Sequence, residues 1–467
     1  MNIHIGEAKI ICLILWSNRK QAFIVGGAVR DLMMRTDSHD ADVTTDARPN
    51  EVTDILKANG YTVIPVGEEF GTVAVKDPFM KKFIEVTTFR SEGRYTDKRH
   101  PDKIRFERNL IKDLERRDFT INAMALELTE DAPRFIDPFD GLGDLSNKLL
   151  RTPVEPEKSF SDDPLRMMRA ARFASQLTFS VADDVSRAMK DMSGRLSIVS
   201  FERIRDEFTK ILMSENPRIG ITMLVDAGLA DFVIPEVPKL RLEIDEHHHH
   251  KDVYEHSLTV LEQAIAQESR LGGPNLVIRL AALLHDIGKP KTRSMIDGGG
   301  VSFHHHEVVG ARLARERLKV LRFDGDTIEE VSTLIALHLR FHGYGDGEWT
   351  DSAVRRYVRD AGPLLEHLHV LTRADCTTRN KRKADSLAQT YLGLEKRIAD
   401  LMEQEELSKI RPDLDGGEVM RILNIKPSPS VGKALDFLLE LRLENGPLGE
   451  ERAKEELLQW WSSKERK

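Results

Sequence analysis

Two cysteines, Cys12 and Cys376, are all that the 467 residues contain, which excludes a disulfide framework and any CxxC metal site. The expected compartment is therefore the reducing cytoplasm, and any bound metal must be held by His, Asp and Glu. Long apolar runs are equally scarce. The stretch from Ile10 to Trp16 falls far short of the ~20 residues that span a bilayer, and no small-residue cleavage site follows it. It is read as a buried strand or the edge of a helix, with no membrane association expected. Nor is there an excess of positive charge: 69 Lys and Arg against 77 Asp and Glu leave a net charge of −8. That excludes a protein that coats nucleic acid by bulk attraction. Local basic surfaces could still grip a structured RNA, at Arg166, Arg169 and Arg172 and at Arg379, Lys381, Arg382 and Lys383, although such charge runs are usually solvated faces. Internal repeats and low-complexity segments are missing too, apart from the short run His247 to His250, read as an exposed loop.

What remains is an ordinary globular composition, 40% hydrophobic and 31% charged, with room for about three domains at ~150 residues each. The fold class is α+β. Over residues 20–145, short β-rich runs (Ala22 to Val25, Thr72 to Val75, Phe83 to Phe89) alternate with helical stretches and Gly turns, which predicts a compact mixed head. Helical periodicity takes over in 146–240, as in Pro164 to Leu177, Ser200 to Met213 and Arg218 to Ala227. A histidine-rich helical block follows over 245–400, after Pro235 and Pro238, and 401–467 form a charged helical tail. The first 20 residues are left unassigned.

The head carries the first candidate chemistry. If Ala41 to Thr44 is a strand, Asp40 and Asp42 point to one face, where their repulsion calls for a divalent cation such as Mg²⁺. A lone pair of this kind is also common in acidic turns. Upstream, the apolar run Phe23 to Val25 meets Gly26-Gly27-Ala28-Val29-Arg30-Asp31, where a Gly turn before a helix exposes N–H groups that can cradle a triphosphate. Glu85, a carboxylate inside a β-favouring run, is the candidate third member of the metal cluster; an edge-strand surface glutamate is the alternative.

These segments, in this order and together with Arg116-Arg117-Asp118-Phe119-Thr120-Ile121-Asn122-Ala123-Met124-Ala125, resemble the class II tRNA nucleotidyltransferase and bacterial poly(A) polymerase family. The resemblance covers the whole head. It implies a polymerase-β-like nucleotidyltransferase fold, catalytic Mg²⁺ on Asp40 and Asp42, support from Glu85, and Arg117, Asp118 and Asn122 holding sugar and triphosphate. The implied substrates are CTP, ATP and tRNA, and the implied product is the CCA end.

On a helix, Asp163 and Arg166 in Ser161-Asp162-Asp163-Pro164-Leu165-Arg166-Met167-Met168-Arg169-Ala170-Ala171-Arg172 would stand three apart, an acceptor beside a donor. Cytosine and adenine both offer an amino donor next to a ring-nitrogen acceptor, whereas uracil and guanine offer the reverse. One such pair can therefore accept C and A and reject U and G, because a mismatch strands buried polar groups. The segment also resembles the family's Glu-Asp-x-x-Arg nucleotide-selecting motif, with Asp162 in place of the usual Glu and one methylene shorter. Arg169 and Arg172 join it as nucleotide-binding candidates. Poly(A) polymerases of the family typically carry a basic pair before a Phe where this chain has Gly67-Glu68-Glu69-Phe70, which favours the CCA reading. The charged segment between Arg90 and Phe106 corresponds to the family's flexible loop. CC-only and A-only addition stay open, as do poly(A) addition and an HD hydrolase with an RNA-binding head; oligomeric state is not legible.

In the second block, Leu280-Ala281-Ala282-Leu283-Leu284-His285-Asp286-Ile287-Gly288-Lys289 places a His-Asp pair directly after an apolar helical turn, where nitrogen and oxygen could share one cation. His256 and Asp375 would complete the set. This order resembles the HD phosphohydrolase superfamily, and His306 and His338 match the two further histidines of members that hold a second metal. The resemblance implies a divalent transition metal or Mg²⁺, and hydrolysis of phosphomonoesters or 2′,3′-cyclic phosphates that would repair damaged tRNA ends.

Overall fold

The computed structural model describes residues 3–36, 41–65, 71–76, 83–92, 104–128, 133–242, 252–296, 300–341, 350–377, 380–405 and 410–465. The chain forms two compact units, residues 1–238 with 320–322, and the remainder.

Among the described residues, nine strands belong to the head: β1 (Ala22–Val25), β2 (Asp42–Thr45), β3 (Val63–Ile64), β4 (Thr72–Lys76), β5 (Phe83–Thr88), β6 (Arg90–Glu92), β7 (Ile104–Phe106), β8 (Ala125–Leu128) and β9 (Pro133–Ile136). Seven of them build one sheet in the order β3-β4-β5-β2-β1-β8-β9, and β6 pairs with β7. β2 and β5 run parallel; the other neighbours in the sheet are antiparallel. The β6–β7 pairing joins the two ends of the charged segment expected to be a flexible loop, whose middle lies outside the described residues.

Register decides which side chains meet. One row across the sheet, Val73, Val86, Val43, Ile24 and Leu126, is apolar and buried in a single core. The adjacent row, Ala74, Glu85, Asp42, Val25 and Ala125, must point to the opposite face, since side chains alternate along each strand. Helices α1 (Ile3–Ser17), α2 (Gly27–Met34) and α3 (Pro49–Ala58) contribute to the core on the first face. α1 contains the Ile10 to Trp16 run, which is helical, and Ala8, Ile11, Cys12 and Leu15 are buried in the same core as the strands. Burial pushes the Cys12 thiol up, so this cysteine is an inert core residue.

The helices that follow in the first unit are α4 (Leu110–Glu115), α5 (Gly141–Ser146), α6 (Pro156–Asp162), α7 (Leu165–Leu177), α8 (Asp183–Asp191), α9 (Phe201–Leu212), α10 (Pro217–Asp226) and α11 (Ala230–Val233). The three helices expected from periodicity are α7, α9 and α10, each within a residue of its expected bounds. They pack tightly because Gly220 on α10 has no side chain: a Cβ there would lie 2.3 Å from Ser175 Oγ and 2.6 Å from Ile211.

The second unit is helical, with α12 (Val253–Ile265), α13 (Leu276–Leu284), α14 (Lys289–Thr292), α15 (His306–Val320), α16 (Gly325–Leu337), α17 (Asp351–Ala361), α18 (Leu365–Asp375), α19 (Lys381–Glu405), α20 (Gly416–Leu423), α21 (Pro429–Asn445) and α22 (Glu450–Glu465). α19 runs continuously through residue 400, where the sequence pattern had suggested a boundary. The charged tail is a packed cluster rather than a loose extension: Leu414, Val419, Leu423, Ala434, Leu438, Ala453 and Leu457 of α20–α22 and the preceding segment bury a common core. No helix among the described residues is long and apolar enough to cross a membrane.

Candidate functional site

Asp42 and Glu85 are register partners on the parallel strands β2 and β5, so they stand side by side on one face, where strands lie ~4.8 Å apart. Both are exposed into a cleft of about 840 Å³. Val25, the partner of Asp42 on β1, leads directly into Gly26, which takes a left-handed φ of 74° and caps α2. Only a residue without a Cβ suits that position: the missing atom would lie 3.1 Å from Arg117 Nη1 and 3.5 Å from Asp42 Oδ2. The Gly turn and the acidic pair are thus immediate neighbours, and Gly27 lines the same cleft. Asp40 lies outside the described residues, as do Gly67 to Phe70.

The same cleft is rich in cationic side chains. Arg30, Arg90, Arg116, Arg117, Arg166, Arg169, Arg172, Arg203 and Lys210 line it, against Asp31, Asp42, Glu85, Asp118 and Asp163. This suits a polyanion even though the whole chain is acidic.

Buried carboxylates hold the cations in place. Asp118 Oδ2 sits 2.6 Å from Arg169 Nη2, while Oδ1 accepts from Phe119 N and from Asn122 Nδ2 at 3.1 Å. Burial alone would raise this carboxyl, but Arg169, the Asn122 hydrogen bond and Arg166 hold it down at about 2. Asn122 Oδ1 in turn accepts from Arg30 Nη1 at 2.8 Å. Asp113 on α4, which the sequence reading did not single out, is fully buried and pairs with Arg116 at 2.9 Å and Arg117 at 3.5 Å. It also accepts from Thr44 Oγ1 on β2. Burial opposes its charge, yet Arg116 and Arg117 keep the carboxyl below its usual range. The spacing of Asp113 from Arg116 and Arg117, three and four residues on a helix, was the available signal.

The segment expected to select the nucleotide does not form a single helix. Asp163 and Arg166 do not share a helix. Asp163 sits in extended backbone at the junction of α6 and α7, and its Oδ1 accepts from Leu165 N at 3.1 Å. Pro164 forces this break, because the residue before a proline avoids helical backbone. Both side chains nevertheless line the cleft. Asp163 Oδ2 pairs with Arg203 Nη2 at 2.8 Å, and Arg166 donates to Ser159 Oγ at 2.8 Å and to the Arg116 carbonyl. Arg172 is held by Glu207 at 3.0 Å with its guanidinium over Phe173. Asp162 ends α6, half-buried, and is not among the cleft-lining residues. Arg203, Glu207 and Ser159 went unnoticed in the sequence, since their partners lie 7 to 40 residues away and no local spacing marks them.

In the second unit six expected residues converge. His256 (α12), His285 (after α13) and Asp375 (the end of α18) form one triad of ligand atoms, and Asp286, His306 (the start of α15) and His338 (after α16) form another. Asp286 also lies beside His256 and His285, the residues with which the sequence reading grouped it, its Oδ2 3.7 Å from His256 Nε2. Asp286 faces both triads, with Oδ2 3.2 Å from His285 Nε2 and Oδ1 3.3 Å from His306 Nε2. Each imidazole is oriented through its other nitrogen: His285, His306 and His338 Nδ1 contact the carbonyls of Ala282, Phe303 and Ile335 at 2.9, 2.8 and 2.7 Å, and His256 Nδ1 meets Thr377 Oγ1. Carbonyls there fix the proton on Nδ1 and leave Nε2 as a ligand. Among the described residues, His338 Nε2 is buried without a hydrogen-bond partner. An unsatisfied buried nitrogen within 4.8 Å of a carboxylate oxygen and a second imidazole fits a metal centre.

The electrostatics agree. Burial opposes charge on His285, yet Asp286 and Asp375 push it up to about 10, so these carboxylates make the site favourable to positive charge. Burial and the adjacent His285 push His338 down to about 3. Gly288 allows the close approach of the His-Asp turn to α15, since a Cβ would fall 2.1 Å from the His306 carbonyl oxygen.

Known proteins place this architecture. Residues 22–151 match the family model of the Poly A polymerase head domain, 178–240 that of the probable RNA and SrmB-binding site of polymerase A, and 253–380 that of the HD domain. The A-adding tRNA nucleotidyltransferase of Deinococcus radiodurans is 32% identical over 429 residues, covering 90% of this chain and 91% of that protein. The CCA-adding enzyme of Lactobacillus johnsonii is 42% identical over 221 residues, but that match spans 47% of this chain and 52% of the relative. The crystal structure of the Bacillus stearothermophilus CCA-adding enzyme in complex with CTP shares the fold, with a TM-score of 0.70 at 24% identity over the full length of both chains. With its polymerase-type head, helical body and HD domain, the chain belongs to the class II tRNA nucleotidyltransferase family.

Proposed function

We propose that this protein builds the CCA end of tRNA from CTP and ATP without a template. The observation that carries the reading is the in-register pairing of Asp42 and Glu85 beside the Gly26 turn, in the same cleft as Asp163 and Arg166. Asp40 and Asp42, supported by Glu85, would hold Mg²⁺, which when bound neutralises the triphosphate and activates the terminal hydroxyl. The Gly26-Gly27 turn, Arg30 and Arg117 bind the triphosphate, and Asp118 and Asn122 orient Arg169 and Arg30 toward it. Asp163 accepts from the amino group of cytosine or adenine and Arg166 donates to the ring nitrogen, its five N–H groups outnumbering its protein partners. Residues 20–145 are thus the catalytic head, 146–240 the selecting and RNA-binding body, 245–400 the HD domain and 401–467 the tail.

The test uses tRNA ending before the CCA, after C and after CC, each with CTP and ATP, resolved to the nucleotide. C, C and A should be added and addition should stop; no addition, or an unlimited A tail, overturns the proposal. A second reading, addition of A alone, is favoured by the name of the relative that matches nearly the whole chain. It requires extension of the CC-ending tRNA only.

The HD domain is proposed to hydrolyse phosphomonoesters or 2′,3′-cyclic phosphates at damaged tRNA ends. His256, His285 and Asp375, with Asp286, His306 and His338, would hold a divalent transition metal or Mg²⁺ that supplies activated water. Asp42→Ala should abolish nucleotide addition and spare hydrolysis, and His285→Ala should do the reverse. Loss of both activities in either variant would refute separate sites.

A further inference from the structure

Asp163 is placed by more than its own segment. Its carboxylate is held at both oxygens: Oδ1 by Leu165 N at 3.1 Å and Oδ2 by Arg203 Nη2 at 2.8 Å. Two contacts on two oxygens define the plane of the group, and the Arg203 contact has the length of a charge-assisted hydrogen bond. Arg203 comes from α9, 40 residues on. One turn further along the same face, Glu207 holds Arg172 of α7 at 3.0 Å. α9 therefore grips the expected selecting segment at two points, and α10 packs closely on both α7 and α9 through Gly220, which seats against Ser175 and Ile211. Arg203 also lines the cleft, so its charge faces the space in which a base would sit.

We infer that Arg203 is a positioning residue for base selection, fixing the Asp163 carboxylate in the orientation that accepts the amino group of cytosine or adenine and refuses the carbonyl of uracil or guanine. The inference rests on the proposed reading of Asp163 as a base reader. A carboxylate freed from Arg203 can turn and take up a water, which offers an O–H donor to uracil O4 or guanine O6. Discrimination then falls although the wild-type contacts to correct bases remain within reach.

The test is single-nucleotide addition with CTP, ATP, UTP and GTP by the full-length wild type, Arg203→Ala, Arg203→Lys and Asp163→Ala, with thermal unfolding measured alongside. For Arg203→Ala the kcat/KM preference for CTP over UTP and for ATP over GTP should fall about ten- to a hundredfold, chiefly by gain on the wrong nucleotides. Arg203→Lys, which restores charge but a single contact point, should recover part of the preference. A uniform loss on all four nucleotides, or unchanged preference in folded Arg203→Lys and Arg203→Ala, overturns the inference. Unchanged preference in Asp163→Ala would instead sink the base-reader reading beneath it, so the two failures are distinguishable.

Discussion

Replacing Asp118 with asparagine tests whether the cleft is held together by buried charge. In the folded protein burial opposes ionisation, but Arg169 and the Asn122 hydrogen bond outweigh it and bring the carboxyl from 3.8 to about 2. Because the folded-state value is depressed, the stabilisation is complete above the unfolded value and is lost as pH falls from about 4 to about 2. The difference corresponds to about 2 kcal/mol. Asp118→Asn keeps the shape and the neighbours Phe119 N and Asn122 but removes the carboxylate paired with Arg169, leaving Glu207 and Asp163 as its remaining acidic neighbours. It should therefore be about 2 kcal/mol less stable near neutral pH, with the deficit shrinking as pH falls toward 2, where the wild-type carboxyl is itself protonated. Hydrogen exchange across a urea series, read on peptides spanning 110–125, isolates this segment from the second unit. An equal stability of the two proteins near neutral pH, or a deficit that persists unchanged at pH 2, would refute the reasoning.

Three further outcomes follow from close contacts. Gly26→Ala forces a Cβ into a left-handed position 3.1 Å from Arg117 Nη1, and should cost about 1–2 kcal/mol and weaken nucleotide binding, checked by unfolding and by calorimetry with CTP. Wild-type affinity would contradict a phosphate cradle there. Gly288→Ala drives a Cβ into the His306 carbonyl and should lower the metal content of the HD centre, measured by elemental analysis, while nucleotide addition persists. Arg279 and Glu268 form a fully buried pair with two 2.7 Å contacts; Arg279→Met should destabilise the second unit by about 3–5 kcal/mol, and adding Glu268→Leu should recover most of that loss in denaturant midpoints.

Much of the candidate site was legible along the chain because its parts are local. The Gly26-Gly27 turn precedes a helix, Glu85 interrupts a β-favouring run, and His285-Asp286 follows an apolar helical turn. Each is a short pattern whose geometry depends on backbone type alone, and the strands and helices expected around them formed close to their expected bounds. What went unread depends on distant partners. The spacing of Asp113 from Arg116 and Arg117 is local, but nothing along the chain announces that Asp113 is buried and reaches Thr44 on β2, or that Arg203 closes on Asp163.

The sequence by itself determined which side chains are present: acidic residues of the kind that suit hard cations, glycines that permit a tight turn before a helix, a donor and an acceptor three residues apart, and the histidines and aspartates of an HD domain. Those are properties of side-chain type and short-range spacing. Tertiary structure decided how the groups combine. Strand register put Asp42 beside Glu85, a proline took Asp163 out of the helix, and packing brought the six HD residues together around Asp286. The physical reason is that a side chain's type survives any fold, whereas its partners are chosen by which surfaces the whole chain can bury together.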